Sequence, residues 1–168
     1  MRKQEKDLKL SWDWTTGKEL IVDWETKYEN LGIIHFSPDG KRAAAWMKDE
    51  KGQTIVVDGK PWEGRFKYCG LPHFSPDGKK VAAIVEDEKG RTIAVNGEPW
   101  KKRFKYCGAP YFSPDGKKVV AWVKDEKGET IAVNGEPWEE RFEKCCWRPL
   151  FSPDGEKIAV KVGKECKE

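Results

Sequence analysis

Along this chain the apolar residues gather in four short runs, at 43–47, 81–85, 119–123 and 158–162, in which neighbouring rather than alternate positions are apolar. A run of this length with both faces apolar predicts a strand buried on both sides, as when one sheet lies between two others. Small residues recur at one site in three of the runs, Ala45, Ala83 and Ala121, where they allow adjacent sheets to approach closely. Ahead of each run stands Phe-Ser-Pro-Asp-Gly, beginning at Phe36, Phe74, Phe112 and Phe151 and so stepping by 38, 38 and 39 residues. Proline presets φ and Asp-Gly closes the bend, which predicts a tight turn between a short strand ending in Phe and the apolar strand. Behind three of the runs, Asp-Glu-Lys-Gly at 49–52, 87–90 and 125–128 predicts exposed hairpin turns. Within the unit 71–108 the short first strand is expected at 71–75 and the third at 92–95, followed by Asn96-Gly97, a strong hairpin signal. A fourth, more polar strand is expected near 103–106, where Lys and Arg behind Pro99 keep an outermost edge from pairing with other chains.

A period in this range marks stacked supersecondary units. Four units of short antiparallel strands predict an all-β fold, a four-bladed β-propeller, four being the low end of the usual blade numbers. Residues 1–9 are charged and aperiodic and are expected to fray. Residues 10–14 alternate apolar and polar, 15–18 supply a turn and 19–24 read as the next strand. Trp24, Trp62 and Trp100 each lie 12 residues before a turn phenylalanine, and Trp138 lies 13 before Phe151, which places an insertion there. The chain ends after the first two strands of a unit and begins with strands of the later kind, so the two ends complete one blade. The expected organisation is a single domain over 1–168, with blades at about 32–70, 71–108 and 109–146 and a composite blade from 147–168 plus 10–31. The alternative is an open array that a second chain completes.

Composition changes the picture little. Lys+Arg 32 against Asp+Glu 29 gives a net charge of +3 with interleaved signs, the pattern of a solvated surface and not of a nucleic-acid footprint. No eighteen apolar residues follow one another and no apolar run backs the basic start, so the expectation is a soluble, cytoplasmic chain, monomeric alone, without direct membrane insertion. Of the five cysteines three recur with the repeat, which fits reduced thiols better than a disulfide framework.

Candidate chemistry is sparse. Cys69, Cys107 and Cys145 each follow a blade tryptophan by seven residues, with Leu31 at the fourth position. Three converging thiolates could ligate zinc or part of an iron-sulfur cluster. The leucine and the lack of any CxxC pair favour small buried hydrophobes instead, so no metal or cofactor is assigned. His35 and His73 precede the turn phenylalanine, with Tyr111 and Leu150 completing the set, and are candidates for lining a central channel. Trp12, Trp14, Trp147 and Arg148 break the near-identity of the units and are the candidate partner-binding residues, since equivalent positions cannot by themselves orient one asymmetric partner. The aspartate of the turn lacks the alternating carboxylates of a calcium loop. No Walker loop, GxSxG, HExxH or CxxCH is present, and the chain is expected not to be an enzyme.

The FSPDGKKVAAIV segments resemble the TolB-type, WD-repeat-like propeller repeat, in which xPxFSPDGKxLAF recurs once per blade. A narrower set, Ser11-Trp12-Asp13-Trp14 with Gly17-Lys18 and the VNGEPW segments at 95–100 and 133–138, resembles the tryptophan-rich TmcD-type subunit of the transmembrane electron-transfer complex of sulfate-reducing bacteria. That resemblance implies a cofactor-free accessory protein beside a multihaem cytochrome, a membrane cytochrome b and an iron-sulfur subunit. Three readings stay open: a protein-interaction scaffold, a ligand- or metal-binding propeller using the channel histidines or the repeated cysteines, and an engineered or amplified repeat without native activity.

Overall fold

A computed structural model describes residues 30–145 and 148–163, with the side chains of 144 and 145 excepted. Among them there is no helix; every regular element is a strand and all pairing is antiparallel. The first sheet holds β1 (Asn30–Leu31), β2 (His35–Phe36), β3 (Ala43–Asp49), β4 (Gly52–Val57) and β5 (Lys60–Pro61). The second repeats it with β6 (Tyr68–Cys69), β7 (His73–Phe74), β8 (Val81–Asp87), β9 (Gly90–Val95) and β10 (Glu98–Pro99). The third does so again with β11 (Tyr106–Cys107), β12 (Tyr111–Phe112), β13 (Val119–Asp125), β14 (Gly128–Val133) and β15 (Glu136–Pro137). Beyond these, β16 (Lys144–Cys145) pairs with β19 (Val162–Gly163), and β17 (Leu150–Phe151) with β18 (Ile158–Ala159).

Each sheet is a meander whose inner strand is broken in two. In the second sheet Cys69 lies opposite Val85 and Phe74 opposite Val81, so β6 and β7 line the same edge of β8. Between them the Gly70 amide still donates to the Ile84 carbonyl at 2.8 Å, but Pro72 has no amide and the ladder stops. The hairpin from β9 to β10 turns through Asn96 and Gly97 at φ 51° and 91°, positive at both central residues as the tight primed turn requires. The Asn96 side-chain oxygen then accepts from the Val81 amide at 2.9 Å, tying the turn to the start of β8.

The fourth strand expected near 103–106 is divided between two sheets. Phe104 bridges Arg91 of the second sheet, whereas Tyr106 and Cys107 pair with Lys124 and Val123 of the third. The reason is burial: Phe104 and Cys107, three positions apart, fill one core between those two sheets, so the chain must pass from one to the other. The edge of the second sheet is instead the short β10.

The core lies between sheets. Ala44, Ile55, Trp62 and Phe66 of the first sheet meet Cys69, Val81, Ala83 and Val85 of the second, and Ala82, Ile93, Trp100 and Phe104 of the second meet Cys107, Val119, Ala121 and Val123 of the third. Alternate residues of one strand thus serve two cores, which is why these runs are apolar on both faces.

Candidate functional site

The repeated turns are built alike and stack on one another. In the first, the Ser37 hydroxyl donates to Asp39 at 2.6 Å and accepts the Arg42 amide at 3.0 Å, and Gly40 closes the bend at φ 70°. The serine hydroxyl, followed by the amide two residues on, holds each turn aspartate below the usual carboxylate range, with Asp115 pushed down to about 2. Gly78 sits against Ser37 and Asp39, Gly116 against Ser75 and Asp77, and Gly155 against Ser113 and Asp115. Arg42, Lys80 and Lys118 each reach forward to the glycine carbonyl of the next turn, at 2.9, 3.0 and 3.1 Å. The turn aspartate is therefore a structural acceptor within this stack.

His35, His73, Tyr111 and Leu150 hold one register, opposite Ala44, Ala82, Val120 and Ala159 respectively. The first three are half-buried and Leu150 is exposed. Burial first, and then the charge of the nearby His35, lowers the pKa of His73. The Nε2 of His35 is buried and has no hydrogen-bond partner among the described residues. Two imidazoles are thus brought together.

Cys69 and Cys107 do not converge. Each is buried in a different core, one between the first and second sheets and one between the second and third, and burial pushes both thiols up to about 12. They are protonated packing groups at neutral pH. Cys145 lies in β16 opposite Val162. Arg148 is exposed, while Trp12, Trp14 and Trp147 lie outside the described residues.

One surface row, which spacing alone does not single out, departs from repeat symmetry in its charges. At one register the three sheets carry Asn30, Lys48 and Gln53, then Tyr68, Glu86 and Arg91, then Tyr106, Lys124 and Glu129. Gln53 turns inward and accepts the Cys69 amide at 2.9 Å. Arg91 cannot accept, and its guanidinium lies between the rings of Tyr68 and Tyr106, 5.6 and 5.4 Å from their centroids, with Nε donating to Glu86 at 2.6 Å. The signal was readable in the sequence as a reversal of charge between equivalent positions 86 and 124, and 91 and 129.

No protein-family model and no curated protein matches the chain. Among solved structures it is similar to TolB from Acinetobacter baumannii, at 22% identity over 77% of this chain and 37% of that one with a TM-score of 0.49. It is also similar to a protein of Agrobacterium tumefaciens assigned as TolB, at 20% identity over 78% of this chain and 56% of that one with a TM-score of 0.52. The chain therefore spans between about a third and just over half of the length of these structures. The second likeness, with the repeated antiparallel sheets, shows the fold: blades of a TolB-type β-propeller.

Proposed function

We propose that the chain is a non-enzymatic protein-interaction scaffold, a four-bladed propeller whose last blade is shared between the two ends. The observation that carries a scaffold over a reaction centre is where the side chains are used. The turn aspartates, Cys69, Cys107 and the Arg65–Asp49, Arg103–Asp87 and Arg141–Asp125 pairs are all spent on holding turns and cores, while the changes of charge between sheets at 48, 86 and 124 and at 53, 91 and 129 fall on exposed or partly exposed positions. Equivalent positions give a frame, and the departures from equivalence orient a partner.

The resemblance of residues 11–18 and of the VNGEPW segments to a TmcD-type subunit supports one partner class for the first test: subunits of a membrane electron-transfer complex, met from the cytoplasm. Affinity isolation from the native organism with wild type and with a Trp147→Ala, Arg148→Ala double variant tests both statements. Cytochrome or iron-sulfur subunits should come with the wild type and be depleted with the variant. Equal recovery removes this patch, and recovery of no such subunit by the wild type removes the complex.

A further inference from the structure

We infer that the Tyr68–Arg91–Tyr106 stack is a recognition site for an acidic peptide segment of a protein partner, in which a carboxylate is flanked by aromatic side chains. The inference rests on the scaffold reading. Tyr68 and Tyr106 are 44% and 52% exposed, large for ordered aromatic rings, and the guanidinium clamped between them is held in place before any ligand arrives. Such pre-organisation lowers the entropy lost on binding. Only the Nε of Arg91 is used, on Glu86; among the described residues its two terminal nitrogens meet no acceptor. Those nitrogens match the fork of a carboxylate.

The surrounding charge sets the sign of the partner. A groove of about 610 Å³ beside the stack is lined by Glu86, Lys89, Arg91, Lys105, Asp125 and Glu126 among others. Its carboxylates are all engaged: Glu86 by Arg91, Asp125 by Arg141 and Glu126 by Lys105. Among the described residues the Lys89 ammonium and the free side of Arg91 are not, so the groove presents unpaired positive charge beside the Tyr106 ring that lines it. A carboxylate on Arg91 with aromatic neighbours against Tyr68 and Tyr106 satisfies both features. A nucleic-acid strand would also stack, but Lys89 and the free side of Arg91 offer a single anion site and not the track of cations that successive phosphates need, and the oligonucleotide is an outcome of the test.

Titration of the full-length, isotope-labelled protein followed by NMR tests this, reading the Arg91 side-chain resonance and the rings of Tyr68 and Tyr106. The probes are acetyl-Phe-Asp-Glu-Phe-amide, its Asn-Gln counterpart, and an oligothymidylate of about eight nucleotides. The acidic peptide should give saturable shifts at all three side chains, with the amide counterpart at least about tenfold weaker. Arg91→Gln installs the residue that the first sheet carries at this register and so keeps the fold; it should weaken the acidic peptide by at least about tenfold. No saturable shift, equal binding of the two peptides, unchanged binding by Arg91→Gln in a folded variant, or tighter binding of the oligonucleotide each overturns the site. The isolation experiment depends on residues 147 and 148 and is untouched by any of these results.

Discussion

At the scale of single residues, the close approach of strands decides more than identity of type does. A Cβ on Gly108 would lie 2.0 Å from the indole nitrogen of Trp122, whereas one on Gly70 would lie 3.3 Å from Cβ of Ile84, the residue at the equivalent register. Gly108→Ala must displace a whole indole and should cost about 3 kcal/mol, against less than about 1 kcal/mol for Gly70→Ala. Urea unfolding of both variants checks this, and equal costs would show that the indole has room to move. His73 gives a second expectation. Its pKa is lowered from 6.5 by burial and by His35, so near that pH the unfolded chain takes up a proton that the folded chain refuses. The sign follows: this contribution is full above pH 6.5 and is lost as pH falls, levelling once the folded state also protonates. His73→Tyr, with the residue found at 111, should flatten the dependence of the unfolding midpoint between about pH 8 and about pH 5. An unchanged slope would assign the acid sensitivity to other groups.

At the scale of elements, the turns and the apolar strands were legible because short-range rules write them. Pro and Asp-Gly fix a bend wherever they stand, and an apolar run has few places to go. The broken inner strand and the divided fourth strand were not legible, because both depend on which sheet a two-residue segment joins. Tyr106 and Cys107 have no local preference for the third sheet; the shared core that holds Phe104 and Cys107 sends them there. The site candidates divide in the same way. The register of His35, His73 and Tyr111 follows from spacing, but the Tyr68–Arg91–Tyr106 stack needs residues of two neighbouring sheets and appears in sequence only as a charge reversal. The turn itself carries a test. Asp115 has an ordinary value of 3.8 and is held at about 2 by Ser113 and the Lys117 amide, so its contribution is present above pH 3.8 and is lost as pH falls toward about 2. Asp115→Asn should remove that part of the acid transition while leaving the bend, since an amide oxygen can still accept from the Ser113 hydroxyl. An acid titration by circular dichroism that is superimposable for the two proteins would show the interaction to be without weight.

At the scale of the whole molecule, the stack of turns has two complementary ends. Four successive turns meet at three contacts, with Gly78, Gly116 and Gly155 each seated on the serine and aspartate of the turn behind and Arg42, Lys80 and Lys118 each reaching the next glycine carbonyl. One further step would seat Gly40 on Ser152 and Asp154 and bring Lys157 to the Gly40 carbonyl. Among the described residues nothing lies within 4 Å of a Cβ placed on Gly40, and Ser152 is half-exposed where Ser37, Ser75 and Ser113 are buried. Yet Ala43, Ala45 and Met47, on the face of the first sheet turned away from the second, are 0%, 0% and 4% exposed. Their counterparts Val81, Ala83 and Val85 are covered by a preceding sheet. A preceding sheet for the first is what a blade shared by the chain ends supplies, and β18 and β19 would be its second strand. We therefore expect a monomer whose sedimentation is unchanged between about 1 and about 100 μM, well above the dissociation constants typical of obligate pairs. Oxidation of a Gly40→Cys, Ser152→Cys variant should then give a bond within one chain. Ser37→Cys with Gly78→Cys is the positive control, because a Cβ on Gly78 lies 3.3 Å from that of Ser37, close to the separation a disulfide spans. If the control forms within the chain while the 40–152 pair links two chains, closure runs head to tail between copies and the four-bladed ring is wrong. If the 40–152 pair stays reduced while the control oxidises, the two turns do not meet and the shared blade is wrong.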